Sequence, residues 1–126
     1  MPPAASRSPT GTKRSGPRSA ILVLTTLPER LGAETLAREL LAARLAACIQ
    51  IGAAVQSLYH WRGEIETVSE IPVAIKTRET LYPRVEAAIR ARHPYELPEI
   101  VAVPITDGLP AYIDWITAET SDHARS

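Results

Sequence analysis

Ile49-Gln50-Ile51-Gly52-Ala53-Ala54-Val55, followed by Tyr59-His60-Trp61-Arg62-Gly63, is the stretch that decides how this chain folds. Ile49, Ile51, Ala53 and Val55 recur at period two, and Tyr59 and Trp61 keep that parity, as in a strand with one buried face. Arg62-Gly63 supplies a turn, because Gly reaches positive φ without steric cost. Beyond it Ile71, Val73 and Ile75 alternate again, so residues 49–77 read as one unusually long hairpin. Val68 breaks the alternation, which predicts a bulge between Ile65 and Ile71. Pro72 has no N–H to give to a ladder, so either a bulge sets it out of register or the strand starts after it.

Toward the N-terminus, Ile21-Leu22-Val23-Leu24 is a continuous apolar run that predicts a buried strand. Thr26 and Glu29 have capping-box spacing around Pro28, which predicts a helix start there. Leu36, Leu40, Leu41 and Leu45 then carry helical spacing to about Ala47. Toward the C-terminus, Leu81, Val85, Ala88 and Ile89 mark a second helix over about 81–92, ended by His93-Pro94 because Pro disfavours helical φ/ψ in its predecessor. A strand over 99–105 follows, with Pro104 assigning it to a sheet edge. A last helix from Pro110 has Tyr112, Ile113 and Ile116 on one face.

The order is β-α-β, β-α-β and a terminal helix. Leu22-Val23-Leu24-Thr25-Thr26 and Val73-Ala74-Ile75-Lys76-Thr77 echo one another before each helix. Two such units give an α+β, ferredoxin-like sandwich with helices over one face and right-handed crossovers.

Composition bounds the function. The chain has 126 residues and 45% hydrophobic content, enough for one domain with its own core. Residues 1–18 hold four of the eleven prolines and four bases with no acid, a leader expected to remain disordered outside the fold. It lacks the apolar middle of a secretory signal. The folded domain is expected over 19–120, with 121–126 a flexible tail. Fourteen basic and fourteen acidic residues cancel, which argues against nucleic acid as a partner. No apolar run reaches the ~20 residues of a membrane span. One cysteine excludes an internal disulfide, and the absence of Asn excludes acylphosphatase chemistry on this fold. Ile21–Leu24 and Val73–Ile75 hold no aromatic on which RNA bases would stack.

Ser57-Leu58-Tyr59-His60-Trp61-Arg62-Gly63 resembles the S-x-Y-x-W-x-G hairpin tip of the CutA divalent-cation-tolerance family. Cys48, Lys76-Thr77, His93-Pro94-Tyr95, Pro98-Glu99, Pro104, Gly108, Tyr112 and Trp115 follow in that family's order and spacing, over about residues 20–119. The resemblance implies a cytoplasmic homotrimer whose long hairpins pair across subunits, as in the related PII signalling proteins. It implies a non-enzymatic part in tolerance to copper and other divalent cations. Strands this long also overhang a small sheet, and a neighbouring subunit would cover their edges.

In the family's copper site, a Cys follows the first strand and two adjacent His precede Pro-Tyr. Those positions are Thr25, Arg92 and His93 here, so His93 keeps the only strong donor, and no cofactor beyond a weakly held Cu(II) or other divalent cation is expected. His93 also suits a cap on the last helical carbonyls. Cys48 reads as a packed thiol with no adjacent base. Tyr59, Trp61, Tyr95, Lys76 and Glu99 are the candidates for a cleft between subunits, with Lys76 facing either an anionic ligand or an acidic neighbour such as Glu99. A PII-like module that binds a small anionic metabolite in such clefts is the alternative function.

Overall fold

The computed structural model describes residues 19–121, and the leader 1–18 and residues 122–126 of the expected tail lie outside them. The described residues form strands β1 (Ala20–Leu27), β2 (Cys48–Ile51), β3 (Val55–Trp61), β4 (Glu64–Arg78) and β5 (Ile100–Pro104). Helices are α1 (Arg30–Ala42), α2 (Tyr82–Arg92), preceded by a 3-10 turn at Glu79–Leu81, and α3 (Pro110–Glu119). Strand order is β2-β4-β1-β5, every neighbouring pair antiparallel, and β3 pairs with the outer half of β4. This is the expected α+β sandwich, with β5 on an edge as Pro104 requires.

The core follows strand parity. Ile21, Val23 and Leu27 of β1 and Ile71, Val73 and Ile75 of β4 face Leu36 and Leu40 of α1 and Val85 and Ile89 of α2, all buried. Each such side chain contributes about 1.5–3 kcal/mol of transfer free energy. In α1 the buried stripe is Ala33, Leu36, Ala37 and Leu40, while Leu41 is exposed.

Both expected ends of α1 shift. Thr26 makes no cap: its backbone continues β1 opposite Pro72, and the N-cap is Glu29, without a side-chain bond. The helix stops at Ala42 rather than Ala47, because Arg44 turns left-handed at φ 60°. Arg44 N–H then bonds Leu41 O and Leu45 N–H bonds Leu40 O, the paired bonds of a Schellman ending. Leu45 O accepts from the buried Thr77 hydroxyl at 2.7 Å, which ties this turn to β4.

The Arg62-Gly63 turn has φ of 53° and 84°, the type I′ geometry that matches strand twist. The bulge, however, is not on β4. Ile51 opposes Val73 and Val55 opposes Glu70, so three residues, 52–54, face only Ile71 and Pro72. The extra residue belongs to the partner strand, and this resolves Pro72. Its carbonyl accepts from Gly52 N–H at 2.9 Å, so its missing donor points at the β2–β3 break. A Cβ on Gly52 would lie 3.1 Å from the Pro72 ring, which is why glycine suits that crossing.

The second face of the sheet is only partly covered. The helices of the two β-α-β units, α1 and α2, share one face as expected, and the terminal helix α3 packs on the opposite side. Arg78 Nε and Nη2 bond Thr120, and Lys76 Nζ donates to the Tyr112 hydroxyl, both from even positions of β4. Ile116 of α3 is wholly buried there. Farther along, Leu22 and Leu24 stand half-buried beside Val103 and Val101, which are 42% and 47% exposed.

Candidate functional site

Only the inner half of β4 is flanked by β1; its outer half, 64–70, pairs with β3 alone and stands out as a two-stranded ribbon. The loop that follows α2 lies against this ribbon. Between them is a cleft of about 840 Å³, lined by Tyr59, Trp61 and Val68 of the ribbon, Tyr95 and Glu99 of the loop, and Glu70 at its base. Val68 and Glu70 share one face of β4, so the break in alternation at Val68 marks the cleft wall rather than a bulge.

Glu70 is the residue that sequence reasoning missed. It is 6% exposed, and Ser57 Oγ donates to its Oε1 at 2.8 Å. The Tyr95 phenol lies near it: burial first, and then interaction with Glu70, hold Tyr95 above the ordinary range. Burial, with Glu86 nearby, raises Tyr82 in the same direction. A phenol with a raised folded-state value stabilises the fold below its unfolded value of about 10 and loses that contribution as pH rises through the folded value. In an absorbance titration of the folded chain, Tyr95→Phe is expected to remove a late-ionising phenol. An unchanged high-pH limb would contradict this.

His93 fixes the loop. Its Nε2 lies 2.6 Å from Thr26 O, and the Tyr95 N–H donates to its Nδ1 at 3.1 Å. The carbonyl can only accept and the amide can only donate, so both ring nitrogens are assigned: Nε2 carries the proton and Nδ1 is the acceptor. The ring also packs on Tyr95 at 4.7 Å. The His93 ring does not cap the last carbonyls of α2 as expected: it ties the loop to the Thr26 carbonyl of β1.

The structure brings Tyr59, Trp61, Tyr95 and Glu99 together in the cleft. Lys76 is not with them. It sits near the opposite end of β4, 3.3 Å from the Tyr112 hydroxyl, and meets neither the cleft nor Glu99. Arg92 points away to α1, where its guanidinium pairs with both carboxylate oxygens of Glu39. Thr25 is part of β1, on the same face as the core residues Val23 and Leu27, 2% exposed and with its hydroxyl lacking a hydrogen-bond partner.

The model of the CutA1 divalent ion tolerance protein family matches residues 21–119. The chain belongs to that family. It is 39% identical to the divalent-cation tolerance protein CutA of Thermus thermophilus over 79% of this chain and 96% of that protein. The mouse protein CutA is 36% identical over 87% of this chain, which spans 62% of the mouse protein. The crystal structure of CutA1 from Shewanella sp. SIB1 matches with a TM-score of 0.78 and 42% identity, over 80% of this chain and 94% of that one. Relatives carry different addresses: the Arabidopsis protein is named chloroplastic and the Archaeoglobus fulgidus one periplasmic. Among the described residues no helix is long and apolar enough to cross a membrane.

The copper positions of this CutA1 family member do not form a donor set. Arg92 is a cation held by Glu39, Thr25 offers a weak hydroxyl, and His93 has both nitrogens in hydrogen bonds. Among the described residues no three His, Cys, Asp or Glu side chains gather around one point. Cu(II) wants several nitrogen or sulfur donors, so these residues do not fit it.

Proposed function

We propose that the chain works as a non-enzymatic homotrimer in tolerance to divalent cations, in the cytoplasm, and without a tight copper site at Thr25, Arg92 and His93. The observation that carries the assembly is the ribbon together with the open sheet face. A two-stranded ribbon alone is marginal in water, yet β3 and the outer part of β4 extend beyond the sheet with Leu58 63% and Ile65 70% exposed. The apolar face of Leu22, Leu24, Val101 and Val103 lies beside the unpaired edge of β5. Neighbouring copies that cover these surfaces remove an aggregation hazard.

A non-enzymatic role is supported by Ser57, whose hydroxyl donates to a carboxylate instead of to a general base of the serine-nucleophile type. The cytoplasmic placement rests on the family resemblance and on a single thiol that needs no oxidising compartment. An anionic metabolite is not favoured, because the cleft presents Glu70, Glu96 and Glu99 and no lysine.

The test has two arms. Cells lacking their own family member are expected to grow at higher Cu(II) when they carry this chain; growth equal to the empty vector contradicts the tolerance role. In a chelator competition the purified chain and His93→Ala are expected to hold Cu(II) equally weakly. Tight binding that disappears in His93→Ala would place a metal site at His93 after all.

A further inference from the structure

The cleft between the ribbon and the loop after α2 is lined by residues of one chain. Its wall carries three aromatic rings, Tyr59, Trp61 and Tyr95. Its base is a carboxylate, Glu70, that is more than nine-tenths buried. The neutral Ser57 hydroxyl bonds Glu70, the Tyr95 phenol lies near it, and no ion pair among the described residues includes it. A buried carboxylate is normally paired with a cation or a metal, because desolvation of the bare charge is costly. Here the base of an open cleft holds that charge with no cation opposite it. Glu99 adds a second carboxylate to the wall.

From this geometry we infer that the cleft binds a small organic ammonium ion. Aromatic faces attract a cation through the ring quadrupole, and a carboxylate that accepts its N–H donors sets its position. The alkyl part of such a ligand lies against Trp61, Tyr59 and Val68. A bare divalent ion is the poorer match: it needs several oxygen ligands around one point, and no such group exists among the described residues. Arg62 stacks its guanidinium over one face of Trp61 at 5.1 Å and is paired with Glu96 on the exposed rim, so it takes that ring face without pairing with Glu70. The inference needs the cleft to stay open beside the proposed trimer contacts of the ribbon, and a measurement separate from the assembly and copper tests reads it.

The probe series is n-butylammonium, neutral 1-pentanol and anionic valerate, titrated calorimetrically into the full-length chain, with Zn(II) and Cu(II) as separate arms. Butylammonium is expected to bind at least about tenfold tighter than pentanol, the scale of one desolvated cation–π contact. Valerate is expected not to bind. Glu70→Gln keeps an acceptor for Ser57 while removing the charge, and is expected to lower butylammonium affinity about tenfold. Glu99→Gln, at an exposed position that leaves the fold intact, is expected to lower it about threefold and carries the test if Glu70→Gln does not fold. Pentanol binding as well as butylammonium, valerate binding better, or a charge-neutral variant binding ammonium unchanged would overturn the inference. So would Zn(II) or Cu(II) binding that depends on Glu70 while butylammonium fails to bind.

Discussion

Replacing Val101 and Val103 together by Asp is expected to leave the subunit folded and to break the trimer. Both side chains are 40–50% exposed in the single chain (47% and 42%), so two carboxylates there meet water and the subunit core is untouched. They also stand opposite Leu24 and Leu22, in the middle of the open apolar face. If neighbouring copies cover that face, each Asp becomes an unpaired charge removed from water, at a cost of several kcal/mol. At about 1.4 kcal/mol per tenfold, association weakens by at least about a hundredfold. Sedimentation at micromolar concentration reads this directly, with circular dichroism to show that the fold persists. A double variant that assembles like the wild type would show that this face is not the interface.

His93→Ala is expected to cost about 2–4 kcal/mol of stability, read as a lower urea midpoint. The change removes a buried ring packed on Tyr95. It also leaves Thr26 O and Tyr95 N–H without their partners, and each unpaired buried group costs about 1–3 kcal/mol. His93→Gln, whose amide can both donate and accept, is expected to recover part of the loss. The same loss is expected with a chelator present, because no metal enters the explanation. A loss under about 0.5 kcal/mol, or one seen only in metal-loaded protein, would contradict this role.

The elements were legible in the sequence because their periods are strong. The turn at Arg62-Gly63 and the stop at His93-Pro94 are local signals, and both stand where the sequence puts them. The alternation from Ile49 to Trp61 instead gives two strands, because the break at 52–54 shifts parity and sets Tyr59 and Trp61 on the opposite face from Ile49 and Ile51. What was not legible depends on register. Val68 out of step was read as a bulge, since parity along one strand cannot tell which partner carries the extra residue. The pairing across 52–54 shows it on the other strand, and with it the accommodation of Pro72. Glu70 escaped notice for a related reason. A glutamate in a strand reads as solvent-facing until a loop from elsewhere in the chain, here Tyr95, closes over it. Lys76 was grouped with the cleft because both lie on the long hairpin, but a fifteen-residue strand puts its two ends in different surroundings. The end of α1 was overrun because nothing marks Arg44 as left-handed; arginine takes that φ only because the Leu40 and Leu41 carbonyls and the Glu119 carboxylate hold it.

The assembly proposed for this chain covers the ribbon edge and the open sheet face with neighbouring copies. Sedimentation equilibrium of the full-length wild-type chain over micromolar concentrations measures it without variants or ligands. The expected result is a single species of three times the 13.7 kDa chain mass, unchanged on dilution across that range. A stable species at the mass of one chain would contradict the account.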